Sequence, residues 1–478
     1  MVATRTLETD YLVVGAGAIG MSFVDTLVDH CDADVVMIDR RQGAGGHWLD
    51  TYPFVQLHQP SLNYGVNSTP LGKSRLEPSG RDRGFNERAG GAEIAGYFDD
   101  VMRHRLLTSG QVRFFPMSDH LGGGRFRSRI TGQETQVVAR EKVVDATYMA
   151  SRVPATEPPP FAVGDGVRCV PVGDLTRVDT PPSGYVIVGG GKTALDAITW
   201  LLDQGTDPAR ITWVRPQDAW MLNRKYFQPG AGVLDTFEGI VVQLEAIASS
   251  SSVDEFFDKA EHAGVVLRTD PAIRPTTMKG ATVSVSELNQ IRRVERIVRL
   301  GHVVRIDRDE IALDEGSIPT DPGCLHVHCA ARGLGSNPPK VIFGDHDITL
   351  QVISRVNLPL SAGLTGVVEA SDRTTEEKNA LCPPNPWPMT PFGWVRSLIQ
   401  GMQAETAWLG AADIQAWVDG SRLNLLGGLR ESGDSDTVTA LLGRFVEALF
   451  PAFERFDEFK TQATPAESTL LWPPVAAA

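Results

Sequence analysis

The sequence is poor in cysteine and in positive charge, and each shortage excludes some classes of protein and partner. Five cysteines are scattered over 478 residues. They are too few for a disulfide framework, so we expect a reduced, cytoplasmic protein. Acidic residues outnumber basic ones by 59 to 45, for a formal net charge of −14. Because nucleic acid and anionic lipid both select basic surfaces, we expect neither a nucleic-acid nor a membrane partner.

Long apolar runs and the common hydrolytic motifs are also missing. No apolar stretch reaches about 18 residues, so no membrane helix is predicted. Residues 1–10 lack the apolar segment of a secretory signal. The absence of Walker, G-x-S-x-G and H-E-x-x-H motifs argues against a P-loop NTPase, a serine hydrolase and a zinc protease. We predict no metal site.

Glycine-rich turns, by contrast, occur twice, each between an apolar strand and a helix. The first follows the predicted strand 11–15 in "YLVVGAGAIG", where Gly15, Gly17 and Gly20 form G-x-G-x-x-G. Such a turn and the helix N-terminus after it bind a pyrophosphate. Asp39 ends the next strand, where a carboxylate accepts hydrogen bonds from ribose hydroxyls and repels a 2′-phosphate.

The second turn lies in "YVIVGGGKTALD", residues 185–196, with Gly189 and Gly191 followed by Ala194 in the third position. Alanine is tolerated at that third position. The next strand ends at Arg215, whose guanidinium suits the 2′-phosphate of NADPH. The alternative is an ion pair between Arg215 and an acid, which keeps NADH open as the nucleotide.

Two such turns on one chain predict two dinucleotides that exchange electrons. We assign FAD to the first turn and NADPH to the second, with hydride passing from nicotinamide to flavin. The expected fold class is α/β with two Rossmann-type dinucleotide-binding domains. Residues 1–180 form the first part of the FAD domain, and 181–333 form the NAD(P)H domain with a helical insertion at about 234–300. Residues 334–478 complete the FAD domain and add a helical C-terminal region.

The stretch "GGHWLDTYPFVQLHQPS", residues 45–61, follows Asp39 and contains a G-x-W and a Tyr-Pro. Together with the two turns, this pattern resembles the class B flavoprotein monooxygenases, which include flavin-containing and Baeyer–Villiger monooxygenases. In that family the strands that join the two domains end in Ala-Thr-Gly. This chain has Ala146-Thr147-Tyr148 and Ala331-Arg332-Gly333 at those places.

The resemblance implies which residues contact each cofactor. Those expected at FAD are Gly15, Gly17, Ala18, Gly20, Asp39, Arg40, Gly46, His47, Trp48, His58, Gln59, Met117, Ala146 and Ser361. Those expected at NADPH are Gly189, Gly191, Lys192, Thr193 and Arg215. We also expect Ser361 to cap a helix whose N-terminus points at the flavin pyrimidine ring, with an ordinary capped helix as the alternative.

Three residues are candidates for catalysis. His58 falls where the relatives carry Asn or Asp near the reactive edge of the flavin. A histidine there suits a hydrogen bond to flavin N5 or acid–base work, and a plain loop histidine is the alternative. Residues 213–230 are similar to a segment of the amine N-hydroxylases, which places Asn223 and Arg224 at nicotinamide or substrate.

The function implied by the resemblance is NADPH-dependent monooxygenation. A C4a-(hydro)peroxyflavin formed with O2 transfers oxygen to nitrogen or sulfur of a small organic substrate. The family motif F-x-G-x-x-x-H is absent before the second turn, which favours a rival, an NAD(P)H-dependent flavin oxidase or reductase without oxygen insertion. A nucleotide-binding redox sensor without turnover is a third hypothesis. A homodimer is compatible with the sequence.

Cys324 and Cys329 have the C-x4-C spacing of a disulfide reductase. They lie in the predicted strand 324–331, however, and side chains alternate between the two faces of a strand. The two thiols therefore point apart and cannot readily form a disulfide. We expect both cysteines to be packing residues.

Overall fold

Short apolar runs rich in valine and isoleucine form the strands of the structure, a computed structural model that describes residues 5–331, 333–335, 337–355, 357–433 and 435–472. β-Branched residues favour this pleated, buried environment. The strands are β1 (Arg5–Val14), β2 (Val35–Ile38), β3 (Val112–Phe115), β4 (Ser118–Gly122), β5 (Arg125–Ser128), β6 (Glu134–Asp145), β7 (Ala162–Val163), β8 (Cys169–Pro171), β9 (Tyr185–Val188), β10 (Ile211–Val214), β11 (Ala219–Asn223), β12 (Val266–Leu267), β13 (Thr277–Val283), β14 (Arg296–Val298), β15 (Val303–Ile306), β16 (Glu310–Leu313), β17 (Gly316–Pro319), β18 (Leu325–His328) and β19 (Asp347–Thr349).

Amphipathic segments form helices between these strands and dominate the C-terminal third of the chain. The helices are α1 (Ala18–His30), α2 (Gly91–Val101), α3 (Lys192–Asp203), α4 (Val233–Ala248), α5 (Val253–His262), α6 (Val285–Ile291), α7 (Leu358–Glu369), α8 (Thr375–Leu381), α9 (Pro391–Trp408), α10 (Ala412–Gly420), α11 (Ser435–Phe459) and α12 (Pro465–Ser468). Within the described residues, no helix is both long and apolar enough to cross a membrane.

The first sheet has the strand order β3-β2-β1-β6-β5-β4, and β19 also pairs with β6. Strands β3, β2, β1, β6 and β19 are mutually parallel, while β4 and β5 add an antiparallel extension. Helix α7 covers α1 at close range. A side chain at Gly366 would come within 2.7 Å of the Phe23 carbonyl oxygen, so glycine is what permits this packing.

The second sheet is wholly parallel, in the order β14-β10-β9-β18-β8. Two nucleotide-type parallel sheets with helices between their strands confirm the predicted α/β class. The second sheet begins earlier than the predicted boundary at residue 181, because β8 already pairs with β18 in it. The Pro-rich stretch 154–160 precedes both β7 and β8 and is the more natural point of entry.

The predicted helical insertion at about 234–300 contains both helices and strands. Helices α4 and α5 lie there as expected, but β12 and β13 pair with β11 in a separate three-stranded sheet. Strand β14, within the same range, belongs to the second parallel sheet. The buried faces of α4, α5, α9 and α11 pack with the small sheet into one apolar cluster.

Candidate active site between two glycine turns

The first glycine turn follows β1 and leads into α1. Gly15 has φ +106° and donates its N–H to the Ile38 carbonyl at 2.8 Å. A side chain at Gly20 would lie 2.1 Å from the Gly15 carbonyl oxygen, so only glycine lets α1 pack this closely. Helix α1 begins after Gly17 without a side-chain cap, Ala18 being its first residue. Its free N–H groups are suited to an anion.

Asp39 holds this turn together from the end of β2. The buried carboxylate accepts the Ala16 N–H at 2.8 Å through Oδ2 and the Arg41 N–H at 2.8 Å through Oδ1. Each carboxylate oxygen has a further lone pair with which to accept a ribose hydroxyl. Met117 lies close by with φ +52°, and its N–H donates to the Arg41 carbonyl at 2.9 Å. Arg40 is exposed.

The predicted flavin loop starts directly against the first turn. A side chain at Gly46 would come within 2.9 Å of the Gly17 Cα, so two backbones meet here without side chains between them. The Trp48 indole donates to the Tyr64 hydroxyl at 2.8 Å, and the His47 ring lies 4.9 Å from the Trp48 ring. Burial, reinforced by Arg41, lowers the pKa of His47 to about 4. The histidine is therefore neutral at pH 7.

The same loop ends against the second parallel sheet. The Tyr52 hydroxyl donates to Asp196 Oδ2 of α3 at 2.6 Å, and the Phe54 ring stacks on Trp200 of α3 at 4.9 Å. Farther along, the His58 carbonyl accepts the Thr282 hydroxyl. One continuous segment thus joins the first glycine turn to the helix that starts at the second.

The second glycine turn is more open than the first. Gly189 has φ +142° and donates its N–H to the Val214 carbonyl at 2.9 Å. Helix α3 begins after Gly191 without a side-chain cap. A Cβ built at Gly191 would meet no atom within 4 Å. The helix N-terminus therefore faces free space in which a pyrophosphate can approach.

Arg215 and Lys192 are not displayed at this turn. Arg215 is 1% exposed, pairs with Asp218 at 2.5 Å and lies 4.0 Å over the Trp213 ring. Burial lowers its pKa to about 10. The alternative considered for Arg215, an ion pair with an acid, is what the structure contains, and the side chain is not available to a 2′-phosphate. Lys192 is likewise turned inward. Thr193, beside it, is half-buried.

A buried ion-pair cluster lies where the segment 82–88 meets α3, α6 and Arg224. Its members are Asp82, Arg88, Lys192, Asp196, Arg224 and Glu287. Arg224 pairs with Asp82 at 2.7 Å and Glu287 at 2.8 Å, and Lys192 pairs with Asp196 and with Glu287. Burial opposes ionisation of Glu287, but Lys192 and Arg224 outweigh it and hold the pKa of this carboxyl well below its usual range.

The structure corrects the expected roles of Asn223 and Arg224. Arg224 is fully buried within the cluster. Asn223 donates to the Gly264 carbonyl at 2.8 Å and accepts the Lys225 N–H at 3.1 Å. Both side chains are thus buried and bonded to other parts of the protein. Only the i, i+4 spacing of Lys192 and Asp196 signalled this cluster in the sequence, because its other members are far apart in the chain.

His58 lies beside this cluster. Desolvation by the surrounding protein lowers its pKa to about 4; Lys192 and Arg224 act in the same direction, while Asp196 opposes them. His58 is therefore a neutral imidazole at pH 7, with one nitrogen that donates and one that accepts. Of the three catalytic candidates, it alone is exposed.

Ser361 does not cap α7. The helix begins at Leu358, and its cap is Asn357, whose side chain accepts the Leu360 N–H at 3.2 Å. The buried Ser361 hydroxyl instead donates to the Asn357 carbonyl at 2.6 Å and accepts the Ile353 N–H at 3.0 Å. It orders the segment before the helix. The expectation of a serine cap is wrong because the helix starts three residues earlier.

The junction strands and cysteines complete the predicted set. Ala146 donates its N–H to the Val14 carbonyl at 3.0 Å beside the first turn. Arg332 of the second junction lies outside the described residues. Cys324 and Cys329 are free thiols, as are the other three cysteines. Their role as packing residues agrees with the burial of Cys329.

Beside Gln59 opens a cavity of about 720 Å³. Its walls come from α4, α7, α9, α10 and α11 and from the segment 424–431. The sequence predicted several of these helices. Gln59 is the one residue of the predicted cofactor set that lines it. The arrangement thus places a ligand-sized chamber at the end of the loop that joins the two turns.

Comparison with known proteins gives matches of three kinds. Residues 13–72 match the family model described as NAD(P)-binding Rossmann-like domain. Among solved structures, the open form of cyclohexanone monooxygenase has a TM-score of 0.47 at 14% identity and covers 93% of this chain and 99% of its own. Steroid monooxygenase bound to NADP has a TM-score of 0.46 at 13% identity and covers 91% of this chain and 89% of its own.

A polycyclic ketone monooxygenase from Thermothelomyces thermophila has a TM-score of 0.48 at 12% identity, covering 94% of this chain and 90% of its own. Much closer in sequence are two mycobacterial proteins. Uncharacterized protein Rv2000 of Mycobacterium tuberculosis (strain ATCC 25618 / H37Rv) and uncharacterized protein Mb2023 of Mycobacterium bovis are each 43% identical over 426 residues, covering 89% of this chain and 79% of theirs. The chain belongs to the same protein family as these mycobacterial proteins.

Proposed function

We propose that this protein is an NADPH-dependent FAD monooxygenase that oxygenates nitrogen or sulfur of an organic substrate. The observation that carries the proposal is the loop 46–58. It begins with Gly46 against the first glycine turn, and farther along Tyr52 is bonded to Asp196 of α3 and His58 to Thr282 of β13. Two nucleotides held at the two turns would meet along this segment, as electron exchange between them requires.

The first turn fits the pyrophosphate and ribose of FAD. The uncapped N-terminus of α1 offers free N–H groups, and Asp39 offers acceptor oxygens beside them. FAD bound there would accept a hydride from the nicotinamide and, once reduced, activate O2. Trp48 and His47 would cover the flavin side of the turn, since the loop that carries them starts at Gly46.

The second turn fits a dinucleotide through its backbone alone. Gly191 leaves the start of α3 open, whereas Arg215 is buried against Asp218. A 2′-phosphate would have to be recognised by other groups. NADPH is the nucleotide we propose, and a direct comparison with NADH decides the preference.

His58 would act at the meeting point of the two nucleotides. As a neutral imidazole it can donate one hydrogen bond and accept another without adding charge. Its backbone is fixed through Thr282, and the paired cluster beside it keeps Lys192 and Arg224 from acting as free cations. The proposed roles are to position the reacting groups and to relay a proton to solvent.

One observation favours the rival, an NAD(P)H-dependent flavin oxidase or reductase. Water that reaches a reduced flavin promotes release of H2O2 in place of oxygen transfer. The F-x-G-x-x-x-H motif that accompanies oxygen insertion in the resembled family is absent.

The ratio of H2O2 released to NADPH consumed distinguishes these functions. The purified protein, loaded with FAD, would be assayed in air with and without a panel of lipophilic amines and sulfides. A monooxygenase gives less H2O2 per NADPH when its substrate is present, together with an oxygenated product. One H2O2 per NADPH under every condition identifies an oxidase, and no NADPH consumption identifies a protein without turnover.

A further inference from the structure

The cavity of about 720 Å³ is lined mainly by apolar and aromatic side chains. Trp394 and Trp408 line it, while their indole N–H groups donate to Gln243 at 2.9 Å and to the Leu381 carbonyl at 2.8 Å. Pockets of roughly 300–1,000 Å³ with this character bind small molecules. The walls therefore favour an apolar ligand body.

Three buried polar atoms that have no protein partner belong to side chains that line the cavity. They are the side-chain amide nitrogen of Gln59, the side-chain oxygen of Asn63 and the hydroxyl of Ser397. Asn63 and Ser397 are 3% and 1% exposed. A buried donor or acceptor without a partner is costly, so a ligand that supplies both an acceptor and a donor would bind here. Gln59 directly follows His58 in the chain, so it connects these polar side chains to the proposed reaction centre.

The cavity also has an apolar rim exposed to solvent. Leu442, Val446 and Phe450 project from α11, and Leu409 follows the end of α9. Val446 and Phe450 are both 61% exposed and Leu409 is 70% exposed. Exposed apolar clusters of this kind mark a binding surface. A ligand that fills the cavity and extends over this rim would cover them.

The charges along the cavity disfavour an anionic ligand. Among the described residues that line it, Arg355 is the sole Lys or Arg side chain, and it pairs with Glu405 at 3.0 Å. Asp419 and Glu431 also line the cavity and are exposed. An acid such as a free fatty acid would meet net negative charge and no free cation.

From these observations we propose that the cavity is the substrate pocket and that the substrate is an elongated lipophilic molecule with a polar head that carries no negative charge. The head, bearing a hydrogen-bond donor and acceptor, binds to Gln59, Asn63 and Ser397. The tail runs between the tryptophans to the rim on α11. This assignment rests on the proposed function for placing the oxygenated nitrogen or sulfur at the head.

Tryptophan fluorescence of the full-length protein tests the pocket without requiring turnover. Octanamide, butanamide and octanoate serve as probes of tail length and head charge. We expect octanamide to bind at least about a hundredfold more tightly than butanamide, because each buried methylene contributes about fourfold in affinity. We expect octanoate to bind at least about tenfold more weakly than octanamide. Equal binding of the two amides, or preference for octanoate, would overturn the proposal.

Matched variants locate the binding site. Val446→Asp places a charge in the rim, and Val304→Asp places one on β15 at a valine of similar exposure, 52% against 61%. We expect the first to weaken octanamide about tenfold and the second to leave it unchanged. Gln59→Leu should also weaken octanamide. If Val446→Asp alters the sedimentation coefficient but not binding, the rim is an interface between copies and the ligand assignment is wrong.

Anaerobic reduction of the flavin by NADPH, measured on the same samples, separates this inference from the proposed function. Reduction without octanamide binding refutes the pocket assignment alone. Octanamide binding without reduction refutes the proposed function and leaves a lipid-binding pocket.

Discussion

The two glycine turns share one motif but use charge in opposite ways. At the first, Asp39 lies among backbone N–H groups of the turn and keeps acceptor capacity for a ligand. At the second, Arg215 and Lys192 are buried and paired with acids. The motif therefore determines where a pyrophosphate can lie, whereas neighbouring residues decide whether a charged side chain also faces it.

The difference in packing at the two turns predicts the largest effect. In Gly20→Ala the new Cβ would lie 2.1 Å from the Gly15 carbonyl oxygen, whereas in Gly191→Ala it meets nothing within 4 Å. We expect the first variant to lose about 4 kcal/mol or more of the free energy of unfolding and the second to lose less than about 0.5 kcal/mol. Urea denaturation monitors both. Comparable losses would show that the turns are not packed differently.

The ion-pair cluster predicts the next largest effect, since it joins the segment 82–88 to α3 and α6. Arg224→Leu leaves Asp82 and Glu287 each without one buried partner. We expect a loss of about 3 kcal/mol in the free energy of unfolding. Arg75→Leu is the control: it removes an exposed pair with Glu87 and should cost less than about 1 kcal/mol. Equal losses in the two variants would show that the cluster stabilises the protein no more than an exposed ion pair does.

The preference for NADPH or NADH tests whether Arg215 contacts the nucleotide at the second turn. Because Arg215 is buried against Asp218, we expect Arg215→Gln to change the ratio of kcat/KM for NADPH over NADH by less than about threefold, while lowering thermal stability. Steady-state kinetics with both nucleotides measures this ratio. A selective loss of more than about tenfold with NADPH would mean that Arg215 reaches the 2′-phosphate after all.

The smallest effect concerns pH and His58. The native-state pKa of about 4 lies below the usual value of about 6.5, so the unfolded chain binds the proton more strongly. The stability linked to neutral His58 is present above pH 6.5 and is lost as the pH falls toward 4. Between pH 7 and pH 5, we expect the melting temperature of the His58→Gln variant to fall less than that of the wild type. His47 has a similarly lowered pKa, so His47→Gln should behave alike, and no change in either would contradict the assignment.

Local patterns were enough to predict the elements around both turns. Strands β2, β9 and β10 and helices α1 and α3 lie where apolar runs and glycines indicate them, because a turn and its flanking strand depend on neighbours in the chain. Strand β1 begins at Arg5, earlier than the predicted strand 11–15. Pairing across long distances was not predictable in this way. Arg215 could not be assigned without knowing that Thr269 and Asp218 surround it.

The cavity and the ion-pair cluster are products of tertiary structure for the same reason. Gln59, Ser397 and Val446 come together although more than three hundred residues separate the first from the second. Ser361 illustrates a local error of a different kind. Both Asn357 and Ser361 are good cap residues, and only the start of α7 decides between them.

We expect the loop 46–58 to bring two nucleotides together for electron exchange. To test this, the FAD-loaded protein is mixed anaerobically with NADPH, and separately with NADH, and the flavin absorbance is followed. We predict that the oxidised flavin spectrum bleaches with at least one of them. A protein that binds both FAD and the nicotinamide nucleotide while its flavin stays oxidised would contradict the claim.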